Sequence, residues 1–567
     1  MIIKKQNMWH LAKLPLAVSL ASVLAAPASA ITFNMGEIEG TFDSSLSVGA
    51  SWSTAKPDKR FIGNANGGTG FTQTGDDGRL NFQRGKTFSQ IFKGLHDLEL
   101  KYKDTGVFVR GKYWYDAELQ DGNRPHKDIS NKGRKEGAKT RGAEILDAFV
   151  YHNYAIGDQP GTVRLGKQVV SWGESTFIMN SINSVNPLDA SAFRRPGAEL
   201  KEGLIPVNMF FVSQNLTDQL SMEAFYQIGW KQTVVDNCGT FFSSADVAAD
   251  GCNDNYYILD EQYTRLLSSN LPSVKALLGS FGPAGSPILD AVNGIQYGAE
   301  GMMVPRGKDN KAKDSGQWGT AFRWLGDNTE YGAYFMNYHS RNPFLSMRNA
   351  NADVINGIGT LQTIVANQGA PGVPTIPGAL LPLVPTLGLA AAVSNGSYFM
   401  DYPEDIRLYG LSFSTTLPTG TAWQGEISYR PNAPVQINTQ QMTLALAAPV
   451  KADAPAWQSK KAGAVQKGYN RKEVTQLQTT FTHFFDQVLG ASRATVVGEV
   501  GFTHVGGLES KRNKNSIRYG RDPIFGVIGS AVDPAGKSLA KYGDHGFVTK
   551  NSWGYRARGI LDYNNAI

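Results

Sequence analysis

Charge and cysteine are both scarce in this chain of 567 residues. Asp, Glu, Lys and Arg make up 18% of it, which is below the roughly 25% of an ordinary soluble domain and excludes a charge-rich disordered chain. Two cysteines are too few for a disulfide-dense domain or for a tetrahedral zinc site built on thiols. A formal net charge of +6 over this length is also too small to indicate a nucleic-acid partner.

A long apolar run is also missing once the N-terminus has been passed. Residues 1–30 contain three lysines, no acidic residue, a short apolar core and the small residues Ala28 and Ala30. That core is too short to span a bilayer, and its flanks are typical of a secretory signal peptide. We therefore predict that 1–30 is removed on export and that the mature chain begins at Ile31.

Export gives the two cysteines a meaning. Cys238 and Cys252 are the only pair available, and an oxidising compartment favours their pairing. We predict a disulfide that closes the loop between them.

The rest of the chain shows polar and apolar residues in strict alternation, which is the pattern of a β-strand with two different faces. In one segment Leu98 and Leu100 alternate with Asp97, Glu99 and Lys101. Fourteen such segments follow one another, each about as long as a tilted strand that crosses an outer membrane.

The connections between these segments alternate in length as regularly as the residues do. Short turns and long loops follow each other without exception, which is typical of a barrel with periplasmic turns and extracellular loops. The fold we predict is all-β: a transmembrane antiparallel β-barrel of 14 strands, or 16 if the chain continues beyond Ile567. Residues 31–567 form a single barrel in this prediction, with its largest loops at 173–204, 234–315, 342–403, 431–472 and 507–550.

If the apolar residues face lipid, the polar residues of opposite parity line the lumen. Both signs of charge are present there, so strong ion selectivity is not expected. Pairing between neighbouring strands is the plainer role for these charges, and contact with a solute is the alternative. The lumen candidates are Asp97, Glu99, Lys101, Arg110, Arg164, Glu223, Arg323, Asp405, Arg407, Glu426, Arg430 and Glu499.

The long loop 342–403 has a composition that bears on cargo. No charged residue occurs between Asp353 and Asp401, and such apolar surface requires a partner in water. It either captures a hydrophobic molecule or packs within the loops themselves. The apolar candidates are Leu381, Leu383, Val384, Leu387 and Leu389.

The loop 173–204 is the candidate for an inward fold that constricts the lumen. Asn186 as N-cap and Pro187 at the first helical position predict the start of a helix. The other constriction candidates in this loop are Asp189, Arg194 and Arg195.

Several stretches resemble a family of proteobacterial outer-membrane proteins known as DUF1302. They include VRLGKQVVSWGES (163–175), SVNPLDASAFRRPGAELKEG (184–203), NCGTFFSS (237–244), YPEDIRLYGLSFST (402–415) and YRPNAPVQIN (429–438). The resemblance implies an outer-membrane barrel in a Gram-negative bacterium, in contact with outer-membrane lipid and often associated with periplasmic lipid-handling proteins. The substrates of the family are not settled.

These observations together favour an outer-membrane channel for hydrophobic, lipid-like or aromatic small molecules. A general porin for polar solutes and a structural or adhesive barrel remain alternatives. An outer-membrane hydrolase is the remote one, because it needs a serine hydroxyl beside a histidine such as His152, His339 or His504. No catalytic, nucleotide or haem motif is present, so we expect no enzyme activity, no cofactor and no metal. The acidic, glycine-rich run 63–78 could hold a weak Ca²⁺, but we expect it to be a solvated loop.

Overall fold

The computed structural model describes residues 31–258, 261–510, 516–526 and 545–563, so the predicted signal peptide lies outside the described residues. One large antiparallel sheet of 15 strands dominates the fold. Each strand pairs with the next main-sheet strand along the chain, so the sheet is a simple meander. Its strands, in hydrogen-bonded order, are β1 (Ile31–Met35), β2 (Ile38–Trp52), β3 (Thr87–Tyr102), β4 (Thr105–Asp116), β5 (Arg141–Ile156), β6 (Gln159–Gln168), β7 (Val207–Asn215), β8 (Leu220–Gln227), β12 (Gln317–Leu325), β13 (Thr329–Tyr338), β16 (Ile406–Thr416), β17 (Ala422–Gln436), β19 (Tyr469–Asp486), β20 (Arg493–Val505) and β21 (Asn551–Asp562).

The strand count is one higher than the sequence predicts. The additional strand is β1, which forms a hairpin with β2 through a turn at Gly36 with φ of 65°. Five residues are too few for alternation to be recognised in the sequence, so β1 was missed. In the described part of the chain, no hydrogen-bonded pairing joins β1 to β21.

Short turns and long connections alternate along the meander. The long connections are 53–86, 117–140, 169–206, 228–316, 339–405, 437–468 and 506–550. They all leave the sheet at the same end, because each short turn returns the chain to that end.

The two faces of the sheet carry opposite kinds of side chain. Leu165 and Leu411, which are 56% and 60% exposed, lie on the outer face. Lys93, Lys112 and Glu499 lie on the inner face and are buried. Such an arrangement is the reverse of a soluble sheet, whose apolar face is the buried one.

Helices and short strands occupy the long connections. Two three-stranded sheets form there, from β9 (Tyr257–Ile258), β10 (Tyr297–Gly298) and β11 (Gly301–Met303), and from β14 (Phe344–Arg348), β15 (Ser397–Asp401) and β18 (Val465–Gln466). The α-helices are α1 (Asp77–Asn81), α2 (Ala117–Asp121), α3 (Ala190–Arg194), α4 (Leu200–Gly203), α5 (Glu261–Ser280), α6 (Ser286–Asn293), α7 (Ala352–Ala366), α8 (Val384–Ser394) and α9 (Thr439–Ala445).

The apolar side chains of these connections pack into a core of their own, which we call the loop core. It contains buried residues of α6, α7, α8 and α9, among them Ile288, Ile358, Leu387 and Met442. In the described part of the chain, no helix has both the length and the apolar character needed to cross a membrane.

The predicted disulfide is confirmed. Cys238 and Cys252 are bonded and buried, and their Cα atoms are 6.3 Å apart. The bond closes a loop within the 228–316 connection.

Candidate functional site

The connection 169–206, which we call the inner segment, lies against the inner face of the sheet. Its main anchor is the carboxylate of Glu499 on β20. The backbone N–H groups of Thr176, Phe177 and Ile178 donate to this carboxylate at 2.9, 2.7 and 2.7 Å. Hydrogen bonds to a charged acceptor in a buried site are among the stronger ones in proteins, so Glu499 fixes the backbone of the inner segment.

A second pair of charges on β17 holds the next residues. Glu426 accepts from the backbone N–H of Glu174 and from that of Ile182, the latter at 3.3 Å. Arg430 donates to the carbonyl oxygen of Ser181 at 2.7 Å and to Ser184 Oγ at 3.2 Å. Glu426 and Arg430 therefore bind the inner segment, which belongs to the same chain.

Apolar packing adds to these polar anchors. Trp172 is fully buried, and its ring lies 5.1 Å from that of Phe225 and 5.9 Å from that of Tyr334. Its Nε1 donates to Glu223 Oε2 at 2.6 Å, which satisfies the polar end of the indole. Ile182 belongs to the same buried cluster.

The other end of the inner segment binds strands near the opposite edge of the sheet. Lys93 on β3 donates to the carbonyl oxygen of Gly197 at 2.7 Å and pairs with Glu202 at 2.6 Å. Lys112 on β4 pairs with Asp189 at 3.2 Å. All four of these charged side chains are buried.

Two glycines show how closely the inner segment approaches the sheet. A Cβ on Gly49 of β2 would lie 2.4 Å from Pro196 Cβ, and one on Gly501 of β20 would lie 2.7 Å from Ile178 Cδ1. Only the absence of a side chain allows these contacts. The inner segment thus touches strands close to both edges of the sheet.

This double contact requires the sheet to curve. In a flat sheet, β2 and β20 would be about 58 Å apart at about 4.8 Å per strand. The chain from Ile178 to Pro196 could span about 60 Å only if fully extended, and it contains the helix α3. The inner face is therefore concave and encloses the inner segment.

Other lumen candidates on the inner face pair with neighbouring strands. Arg110 binds Asp97 at 2.7 Å, and Arg323 binds Glu330 at 3.0 Å. Glu99 accepts a hydrogen bond from Tyr151 at 2.6 Å. Arg164 lies over the rings of Phe149 and Phe211, on the adjacent strands. Lys101 follows the same parity near the turn at the end of β3 and is exposed.

Two of the lumen candidates are wrong. Arg407 has the parity of Tyr409 and Leu411, which lie on the outer face, and Asp405 is 56% exposed beside Lys313 in the preceding connection. At the start of β16 the residues that face inward are Ile406 and Leu408. They are apolar because the inner segment packs on them. At this place the apolar residues therefore face inward, and the rule that apolar residues face outward gives the wrong face.

The helix prediction within the inner segment is also wrong. Asp189 is the N-cap of α3 and accepts from the N–H of Ala192 at 3.0 Å. Asn186 instead joins the two ends of the inner segment, because it bonds the N–H of Val170 and the carbonyl oxygens of Gln168 and Ile205. Pro187 contributes a carbonyl oxygen that accepts from the N–H of Ile205.

The two arginines predicted for the constriction bind neighbouring connections. Arg194 pairs with Asp236 at 2.7 Å, and its guanidinium lies over the ring of Phe242. Arg195 donates to the carbonyl oxygen of Gly137 at 2.7 Å and lies over the ring of Trp114. Arg194 thus joins the inner segment to the connection 228–316, and Arg195 joins it to the connection 117–140.

The apolar loop candidates divide into buried and partly exposed residues. Val384 and Leu387 are buried in the loop core, where they contribute no surface for capturing a ligand. Leu381 and Leu383 are half-buried, and Leu389 is 39% exposed. The apolar stretch therefore serves mainly to hold the loops together.

Sequence reasoning also missed Arg341, a further buried cation beside the inner segment. Arg341 donates to the carbonyl oxygen of Val185 at 3.0 Å and to Gln227 Oε1 at 2.6 Å. Burial lowers its pKa to about 9. No sequence signal marks it, because it lies in a long connection.

The hydrolase alternative can be compared with the histidines that it requires. His152 bonds Thr105, His504 bonds Asn551, and His339 bonds backbone groups. A serine does lie beside a different histidine, since Ser44 Oγ is 2.8 Å from His96 Nδ1. Among the described residues no carboxylate hydrogen-bonds to His96, so the acid of a catalytic triad is missing there.

The family expectation is confirmed: the chain belongs to the family described as "Protein of unknown function (DUF1302)", whose model matches residues 11–567. No curated protein matches the chain.

Solved structures similar to this chain include OmpF of Salmonella typhi in complex with daunomycin, with 8% identity, 86% of this chain and 87% of that one covered, and a TM-score of 0.32. OprB of Pseudomonas putida, solved at high pH, has 8% identity, coverage of 86% and 83%, and a TM-score of 0.30. The outer-membrane channel DcaP of Acinetobacter baumannii has 8% identity, coverage of 82% and 79%, and a TM-score of 0.28.

Proposed function

We propose that this protein is an outer-membrane channel whose lumen is narrowed by the inner segment. One observation carries the proposal. The concave inner face of the sheet buries charged residues, whereas the opposite, outer face exposes apolar ones. An outer face of this kind is stable only against lipid.

The proposal includes closure of the sheet into a barrel. Lipid does not hydrogen-bond to backbone groups, so an open sheet edge inside a membrane leaves each unpaired N–H and C=O at a cost of several kcal/mol. The strong curvature that the inner segment imposes brings the edge strands β1 and β21 toward each other. In the proposed barrel, β1 and β21 run in the same direction, because the meander has 15 strands, and they pair as parallel strands, which removes both edges.

The inner segment is proposed to set the width of the channel. It is anchored to strands near both edges of the sheet through Glu499, Glu426, Arg430, Lys93 and Lys112. Because these anchors are buried and charge-assisted, we propose a fixed constriction with small openings around it.

Solutes with an apolar part are the proposed cargo. Met179 and Leu200 support this choice, because they are 49% and 68% exposed on the inner segment. The loop stretch 381–389 supports it less than the sequence suggests, since Val384 and Leu387 are buried. A polar solute is the second candidate, and the polar residues of the inner face favour it.

The remaining parts of the proposal concern chemistry and partners. We propose that the protein is not an enzyme. Outer-membrane lipid is the proposed surrounding, and periplasmic lipid-handling proteins are proposed to supply or remove the cargo.

The test is single-channel conductance of the full-length protein in planar bilayers. The double variant Glu426→Gln with Glu499→Gln weakens the bonds that hold the inner segment, so we expect larger and noisier current steps than the wild type shows. Glu37→Gln, in the exposed turn after β1, is the control and should behave as wild type. Identical steps in all three proteins would reject the constriction.

Cargo is tested with Met179→Asn and Leu200→Asn. If apolar solutes pass the inner segment, uptake of an aromatic carboxylate into proteoliposomes should fall several-fold while uptake of a sugar stays constant. Equal effects on both solutes would favour the polar porin.

A further inference from the structure

Three carboxylates from two distant connections meet in a buried cluster outside the sheet. Asp76 and Asp77 belong to the connection 53–86, and Asp246 lies in the loop closed by the disulfide Cys238–Cys252. An oxygen atom from each lies within 4.8 Å of the others. All three residues are at most 1% exposed.

Two glycines of the connection 53–86 allow it to approach the disulfide loop closely. A Cβ on Gly75 would lie 2.4 Å from the carbonyl oxygen of Ser244, and one on Gly78 would lie 2.1 Å from that of Thr240. The N–H of Asp77 donates to Asp246 Oδ2 at 3.0 Å. The cluster is therefore a packed feature of two backbones, and the solvated loop predicted for 63–78 is wrong.

Within the described part of the chain, one oxygen atom of this cluster has no hydrogen-bond partner. Asp76 Oδ2 accepts from the N–H of Gly63 at 2.8 Å and from Asn66 Nδ2 at 3.1 Å. Asp76 Oδ1 is buried and accepts no hydrogen bond from any residue that the structure describes. An unpaired carboxylate oxygen in such a site is costly, which indicates a missing ligand.

The charges around the cluster do not balance. Four carboxylates meet here when Glu300 is included, and the cations that contact them are His126 and Lys127. Both cations bind Asp77 and Glu300, so Asp76 and Asp246 are left without a cation within 4.0 Å among the described residues.

We propose that Asp76, Asp77 and Asp246 bind one hard divalent cation, with Ca²⁺ as the best fit. Among the described residues Asp76 and Asp246 have no cation within 4.0 Å, and their two carboxylate charges would equal the charge of one such ion. Carboxylate oxygens suit Ca²⁺ and Mg²⁺ better than Zn²⁺ or Cu²⁺. Ca²⁺ is favoured over Mg²⁺ because Mg²⁺ releases its water reluctantly and demands ideal octahedral geometry.

The ion would link two connections that the disulfide does not join. The disulfide orders 238–252 from within, and the ion would bind that loop to the connection 53–86. The predicted effect is on the loops above the sheet. It does not depend on whether the protein is a channel.

Calorimetric titration of CaCl₂ into the full-length, oxidised protein in detergent tests the site. We expect one Ca²⁺ per chain and at least a roughly tenfold loss of affinity in Asp76→Asn and in Asp246→Asn. Asp353→Asn, an exposed acid at the start of α7, should bind as wild type does. No binding to the folded wild type, or equal binding by Asp246→Asn and Asp353→Asn, would overturn the proposal; Mg²⁺ binding without Ca²⁺ binding would overturn the choice of ion.

A second measurement separates loss of the ion from failure to fold. Asp246→Asn removes one uncompensated charge, so in EGTA its thermal midpoint should equal or exceed that of the wild type. Ca²⁺ should raise the midpoint of the wild type and protect 53–86 from protease, while leaving Asp246→Asn unchanged. If the thermal midpoint and the protease resistance of the wild type were the same in Ca²⁺ as in EGTA, the proposed site would be contradicted.

Discussion

The sheet and the loop core bury opposite kinds of side chain within one chain. The sheet directs Leu165 and Leu411 outward and buries Lys93, Lys112 and Glu499. The loop core buries aliphatic and aromatic side chains, as the core of a soluble domain does. This difference is what we expect if the sheet is surrounded by lipid, as proposed above, and the loops by water.

The strongest way to break this comparison is to place a charge in the loop core. Leu387→Asp buries a carboxylate where Leu387 is 4% exposed, and we expect a loss of about 4 kcal/mol or more in loop stability. Leu389→Asp on the same helix, at a 39% exposed position, should cost less than about 0.5 kcal/mol. Protease resistance of 339–405 in the folded protein measures both. If both variants stayed stable but bound an apolar solute equally less well, the stretch 381–389 would instead be a surface that captures the solute.

A charge on the outer face of the sheet should act through the lipid. Leu411→Arg places a guanidinium in the middle of β16, and we expect a loss of about 2–4 kcal/mol in the free energy of unfolding from vesicles. Leu489→Arg is the matched control, since Leu489 is 79% exposed in the turn before β20. Urea titration in phospholipid vesicles gives the values. If both variants were equally stable, the outer face would not contact lipid.

Removal of the disulfide should sharpen the distinction between the regions. Replacing Cys238 and Cys252 with Ser should lower the stability of the loops by about 2–3 kcal/mol, because the bond closes a short loop of chain. The sheet should keep its heat-modifiable gel mobility. A variant that loses both properties would show that loops and sheet fold as one unit.

The smallest effect is expected at the tryptophan of the inner segment. Trp172→Phe keeps most of the ring packing but removes the donor to Glu223, so we expect a loss of about 1–2 kcal/mol. Trp553→Phe, 74% exposed on β21, should change stability by less than about 0.5 kcal/mol. Equal effects at the two sites would argue against burial of Trp172 inside the sheet.

The sequence predicts the strands well because alternation is a local signal. It also identifies the inner segment and most of the inner charges, including Glu426, Arg430 and Glu499. It assigns Asp405 and Arg407 to the wrong face, because the inner segment makes the inner face of β16 apolar. The alternation of polar and apolar residues along a strand does not reveal that a distant part of the chain packs on it.

Long-range contacts account for what the sequence misses. Asp76 and Asp246 come together only because two connections pack on each other through Gly75 and Gly78. Read locally, the first looks like part of a polar loop and the second like part of a disulfide loop. Likewise, the N-cap of α3 is Asp189 and not Asn186, because the side chain of Asn186 is used to join the ends of the inner segment.

Hydrogen exchange at the two edge strands tests the central proposal most directly. In vesicles, a closed barrel predicts that the amides of 31–35 and 551–562 exchange as slowly as those of 406–416 in the middle of the sheet. Slow exchange at 406–416 with rapid exchange at both edges would contradict closure, and the channel proposal would fall with it.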